Sequence, residues 1–139
     1  MSVPVGMRSE SKLVAQVKAN ELAKYTLEIT SNQRVFSPRF DALTRRIVDN
    51  AFGIGQSIWM ANDINVRSAE DYSKRHDLQR DALLECDALL YNITLAKTTF
   101  HLSSKRVEYW SGLTREVKAL VRAWRDSDAK KCRHLVSGK

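Results

Sequence analysis

Between residues 40 and 61 one series of apolar side chains runs Phe40, Leu43, Ile47, Ala51, Ile54, Ile58 and Ala61, spaced 3, 4, 4, 3, 4, 3. That period fits one face of an α-helix and not the alternation of a strand. A second strip at the same period, Val48, Phe52, Gly55 and Trp59, lies about 100° round the axis. A helix apolar over so wide an arc needs more than one neighbouring surface. Two arrangements satisfy it: both strips are buried inside one chain, or Val48, Phe52, Gly55 and Trp59 form a contact between subunits. Gly53 and Gly55 each cost about 1 kcal/mol against alanine in a helix interior, and Gly55 would let another backbone approach closely.

The start of this helix is signalled by Ser37-Pro38, serine as N-cap and proline at the first position, where a missing N–H loses nothing. Phe36, just outside, can pack back as a hydrophobic staple. The same logic marks three more helices. The first is expected from Ser9 or Ser11 to about Ser31, with Leu22, Tyr25 and Ile29 as its face and Ala15 and Ala19 extending it. The third opens at Ser68-Ala-Glu-Asp71, a capping box with Asp in place of Glu or Gln, and Ala82, Cys86, Leu89, Ile93, Ala96 and Phe100 give its core register. Asp77, Arg80, Asp81 and Glu85 are expected on its wet side. The fourth begins after Ser103 and runs to about Asp126, with Val107, Trp110, Thr114, Val117, Val121 and Trp124 on one seam. Two prolines and five glycines in 139 residues leave little to interrupt such helices. Four amphipathic helices joined by short connections predict an all-α fold, an antiparallel up-down four-helix bundle. Its span is residues 11–126, with 1–10 a flexible leader and 127–139 a basic tail.

A chain of this length suits one domain and buries roughly two-thirds of its unfolded surface. The longest apolar runs fall far short of the ~18 residues a membrane span needs, and Met1 to Glu10 holds no apolar stretch of the kind a secretion signal carries. Cys86 and Cys132 form no pair at metal-ligand spacing. Cys86 stands on the core register, where it reads as a small hydrophobe, and Cys132 stands in the basic tail. A reduced, cytoplasmic protein is the expectation.

Catalytic chemistry finds little footing. Di-iron bundles need Glu-x-x-His pairs pointing into the core, and no Asp or Glu stands three residues before His76, His101 or His134. No Cys-x-x-Cys, phosphate-binding glycine loop or G-x-S-x-G occurs. Gly53-Ile-Gly55 lies inside a helical pattern and lacks the further glycine of a nucleotide motif. No catalytic residue, metal or cofactor is therefore expected.

Charge is distributed unevenly. From Ser103 onward there are ten Lys or Arg against four Asp or Glu, so this end carries most of the net charge of +7. Arg115, Lys118, Arg122 and Arg125 recur at helical spacing beside the apolar seam of the fourth helix. A solvated face near a helix C-terminus is one reading, since cations suit that end of the helix dipole. Nucleic-acid contact is the other, since a cationic stripe supplies phosphate affinity without reading sequence. Arg45, Arg46, Lys130, Lys131 and Arg133 are further candidates. Few aromatics interleave the stripe, so stacking on unpaired bases is not indicated.

The residues also carry a resemblance. Glu21-Leu-Ala-Lys-Tyr-Thr-Leu-Glu-Ile-Thr-Ser-Asn32, Arg46-Ile47, Ala61-Asn62, Arg75-x-x-Leu78-Gln79-x-x-Ala82, Val107-Glu-Tyr-Trp110-Ser and Ala123-Trp124-Arg-Asp-Ser-Asp128, in that order, resemble the accessory variability determinant (Avd) proteins of diversity-generating retroelements. The similarity spans about residues 18–128. It implies a non-catalytic, basic, homopentameric four-helix-bundle protein that binds the element's reverse transcriptase and its template RNA and supports mutagenic complementary-DNA synthesis, or retrohoming. A sister group, encoded in intervening sequences of 23S ribosomal RNA genes, shares the bundle. Members commonly run Phe-Pro and then basic residues before the second helix; here Ser37 separates Phe36 from Pro38, and Arg39 stands alone. The resemblance assigns no RNA-contacting residue. The competing expectations are a structural protein-interaction bundle without nucleic-acid binding and, third, a metal-bearing catalytic bundle.

Overall fold

The computed structural model describes the backbone of residues 3–137 and the side chains of residues 13–136. Five α-helices and one 3-10 turn account for most of it: α1 (Val3–Thr30), the 3-10 turn Pro38–Phe40, α2 (Asp41–Asn62), α3 (Ala69–Thr99), α4 (Ser104–Lys131) and α5 (Arg133–Ser137). No strand occurs among the described residues. Each of α2 and α4 packs along α1 and along α3, forming a helical bundle around one core. No helix among the described residues is long and apolar enough to cross a membrane.

Ser68 and Ser103 cap α3 and α4 as expected, whereas Ser37 caps the 3-10 turn and α2 starts after it with Phe40 as N-cap and no side-chain cap. Ser37 Oγ accepts from the Arg39 amide at 3.2 Å, Ser68 Oγ from Asp71 at 3.1 Å, and Ser103 Oγ from Arg106 at 3.1 Å. Each satisfies an amide the helix itself leaves unpaired. The box at Ser68 is modified: Asp71 Oδ2 accepts from the Arg67 amide rather than reaching Ser68. Phe36 does not staple α2. It is buried against Phe100 and Trp110, with ring centroids 4.6 and 6.1 Å away.

The two ends of the chain differ from the expectation. Helix α1 begins at Val3, so Ser9 and Ser11 stand within it and do not mark its start; their side chains, Met1, Ser2, Gly138 and Lys139 lie outside the described residues. Helix α4 runs past Asp126 to Lys131, and α5 follows, so most of the expected tail is helical. Cys132 is buried at the C-cap of α4, its amide donating to Asp128 O at 2.8 Å. Long-range pairing at Asp128 holds this extra turn in place.

The core follows the registers read from the sequence except at Phe40, which is exposed and stands just before α2 as its N-cap. Ile47, Ala51, Ile54, Ile58 and Ala61 of α2, Ala82, Cys86, Leu89, Ile93 and Ala96 of α3, and Trp110, Val117, Val121 and Trp124 of α4 are buried together. Two polar clamps are sealed into it. At one, Trp110 Nε1 donates to Thr26 Oγ1 at 3.0 Å, joining α4 to α1, and Thr26 in turn donates to Leu22 O at 2.7 Å. At the other, Arg75 forms an ion pair with Asp128 at 3.2 Å and also donates to Ala61 O and Ile64 O. Gln79 Nε2 adds a bond to Asp128 Oδ2 at 2.9 Å. The clamps pair the Trp110 indole N–H and the Arg75 and Asp128 charges, which would be costly to bury alone, while Gln79 Oε1 stays buried without a partner among the described residues.

Candidate nucleic-acid interface

Helix α4 turns Trp110, Thr114, Val117, Val121, Trp124 and Asp128 into the core. Its 3.6-residue period therefore brings Arg115, Lys118, Arg122 and Arg125 out along the edge it shares with α3. Arg115 and Arg122 are exposed, and no carboxylate pairs with either among the described residues. Lys118 is half-buried and spoken for: its Nζ lies 2.6 Å from Asp87 Oδ1 of α3. Arg125 is half-buried near Tyr72 of α3. Burial pushes the Tyr72 phenol above its ordinary value, Cys132 and Asp128 push the same way, and Arg125 pulls against them.

The acids of α4 are largely turned elsewhere. Glu116 points to α1, where Lys18 Nζ lies 3.7 Å from it. Asp128 is buried with Arg75. Asp126 remains exposed beside the stripe. On α3, Arg80 is exposed one heptad before Asp87, on the same side of its helix, and so extends the cationic edge. Its sequence signal was the spacing from Asp87, and neither Asp77 nor Asp81 pairs with it among the described residues.

The other candidates are scattered. Arg45 and Arg46 are exposed on α2, which packs on α1 and α3, so the stripe and these two arginines lie on different sides of the bundle. Arg45 is paired with Asp41 at 3.0 Å. Lys130 and Lys131 are exposed in the last turn of α4 and so continue the stripe's helix at its end, and Arg133 opens α5.

The second strip of α2 divides. Phe52 and Trp59 are 46% and 67% exposed, whereas Val48 and Gly55 are half-buried. Burial of the whole strip inside one chain is thereby excluded. Gly55 meets α1 of its own chain: its carbonyl accepts from Gln16 Nε2 at 3.3 Å. Across that seam Leu13 and Val17 of α1 are 61% and 54% exposed, so the apolar surface spans both helices.

Chemically, this surface can hold anions and can dock apolar partners. The described residues contain no cluster of three His, Cys, Asp or Glu able to hold a metal. Burial pushes the Cys86 thiol up to about 12, the opposite of an activated nucleophile. His76 is half-buried beside Tyr72, with ring centroids 5.6 Å apart.

The fold and this surface define a small basic helical bundle with a cationic edge. It is similar to a solved protein of unknown function from Bacteroides thetaiotaomicron, described as belonging to the S23 ribosomal protein family. The superposition covers 84% of this chain and 98% of that one with a TM-score of 0.71, at 17% sequence identity, a likeness of fold. No protein-family model matches the chain, and no curated protein does.

Proposed function

We propose that this chain is a cytoplasmic, non-catalytic accessory protein of a diversity-generating retroelement, binding the template RNA through the α3–α4 edge and supporting mutagenic complementary-DNA synthesis by the element's reverse transcriptase. In this reading the four long helices run up and down in an antiparallel bundle, and bundles assemble into a homopentamer through the exposed strip around Trp59. The observation that carries it is the pair Arg115 and Arg122, exposed without a carboxylate partner on the end of the chain where the net charge is concentrated. Several subunits side by side would multiply that field. The S23 description of the Bacteroides protein agrees with the sister group of bundles from ribosomal RNA intervening sequences, and the Avd-like residues Thr26, Arg75, Gln79, Trp110 and Asp128 are those that clamp the core.

The test is RNA titration across a salt series, with wild type beside a variant carrying Arg80→Glu, Arg115→Glu and Arg122→Glu. Lys118 is left in place because a glutamate at that position would face Asp87 and disturb packing. Binding should fall steeply with salt, as counterion release requires, and be lost in the variant. Absence of binding by wild type at low salt sinks the reading and leaves the alternative, a structural protein-interaction bundle, which the exposed Phe52 and Trp59 favour.

A further inference from the structure

Helix α3 presents a second register to solvent. Asp77, Asp81, Leu84, Ala88, Tyr91 and Leu95 are spaced 4, 3, 4, 3, 4 on the side opposite Cys86, Leu89 and Ile93. Leu84, Tyr91 and Leu95 are 52%, 67% and 42% exposed. Alternation of three and four is the spacing by which one helix seats the side chains of another. Where this face turns toward α2 it opens into a groove of about 610 Å³, whose walls include Leu84, Ala88 and Met60 with Asp81 and Glu85.

The groove's acid is fixed in place. Asn92 Nδ2 donates to Asn50 Oδ1 at 2.7 Å, and Asn50 Nδ2 donates to Glu85 Oε1 at 2.9 Å. Opposite stands Gly53, where a Cβ would lie 3.0 Å from both the Cδ and the Oε2 of Glu85. A glycine in the middle of α2, costly for the helix alone, thus makes room for this carboxylate. One oxygen is engaged and the other carries no partner among the described residues. In a chain of net charge +7, no Lys or Arg among the described residues pairs with Asp77, Asp81 or Glu85.

From the apolar seam and its unpaired acids we infer that the α2–α3 groove is a docking site for a helix of a partner protein, amphipathic, with Lys or Arg beside a leucine-like stripe. Charge complementarity selects this occupant: phosphate would be repelled by the three carboxylates, and an acidic helix equally. Preorganisation of Glu85 by Asn50 and Asn92 lowers the ordering cost of such a contact. The inference does not depend on RNA binding, which uses the α3–α4 edge.

The experiment is fluorescence anisotropy of the full chain with a labelled synthetic peptide of about five helical turns, leucines on one face and lysines and arginines on the flank, against a scrambled peptide of identical composition. The ordered peptide should bind at least about tenfold more tightly than the scrambled one. Leu84→Ser with Tyr91→Ser, both surface changes, should weaken it by about tenfold, as should Asp81→Lys with Glu85→Gln, while the variants keep their helical signal and RNA affinity. Equal binding of the scrambled peptide, or binding lost to salt but unaffected by Leu84→Ser and Tyr91→Ser, overturns the proposal. So does loss with Trp59→Ser instead, or a fall in native mass in the Leu84→Ser, Tyr91→Ser variant, which would make a second copy the occupant.

Discussion

His101 is the one described non-glycine residue with positive φ, at 56°. It stands just past α3, where the Leu102 amide donates to Lys97 O at 3.0 Å, the six-to-one bond of a Schellman turn. Glycine is the usual residue there because a side chain strains the left-handed backbone. His101→Gly should therefore raise stability by about 0.5–1 kcal/mol, seen as a higher midpoint in urea; a lower midpoint would mean the imidazole has a structural role. Cys86 gives a pH dependence. Its thiol ionises near 9 when unfolded and at about 12 when folded. The unfolded chain therefore loses its proton first, and the thiol's contribution to stability, intact below pH 9, declines between pH 9 and about 12. Cys86→Ala should flatten that part of the stability profile. Alkylation at pH 8 should spare Cys86 in the native chain and reach it in denaturant.

At the scale of the helix, the starts of α3 and α4 were legible, whereas the start of α1 and the end of α4 were not. Ser37, Ser68 and Ser103 act through amides two or three residues away, so a local pattern contains the whole cause. The end of α4 depends on Asp128 finding Arg75, separated from it by 53 residues. The local signal was an acid on the core register after Val117, Val121 and Trp124, and only the third dimension explains it. The cationic edge divides in the same way. Exposure of Arg115 and Arg122 followed from helical period, whereas the capture of Lys118 by Asp87 and the contribution of Arg80 needed the packing of α3 on α4. The network also makes a strong prediction. Asp128→Ala leaves the Arg75 guanidinium, nearly buried, without its counter-charge, which should cost about 3–5 kcal/mol and fray the last turn of α4. Asp128→Asn keeps an acceptor for Gln79 and should cost less. Equal, small losses in both would show the pair to be dispensable. Gly112 is the opposite case: it lies exposed inside α4 with nothing within 4 Å of an added Cβ, so Gly112→Ala should gain about 1 kcal/mol by thermal denaturation.

The whole molecule has a core complete without its second apolar surface. Leu13, Val17, Phe52 and Trp59 stand exposed across the α1–α2 seam while Ile47, Ile54 and Ile58 on the other face of α2 are fully buried. A contiguous apolar surface of this kind on a small protein marks an interaction site, and aromatic anchors such as Trp59 dominate the energetics of such contacts. If the surface joins copies of the chain, Trp59→Glu places a charge in every contact of the ring. The assembly should then dissociate, read as a fall in mass by light scattering. Because Trp59 lies outside the core, the helical signal and the thermal transition of each bundle should survive, which separates lost assembly from lost folding. RNA affinity should drop as well, since a single cationic edge releases fewer counterions than several in register, and the slope of log affinity against log salt should shrink in proportion. A native mass that is unchanged by Trp59→Glu, or that is monomeric from the outset, would assign this surface to a different partner and remove the multiplied field from the account of RNA binding.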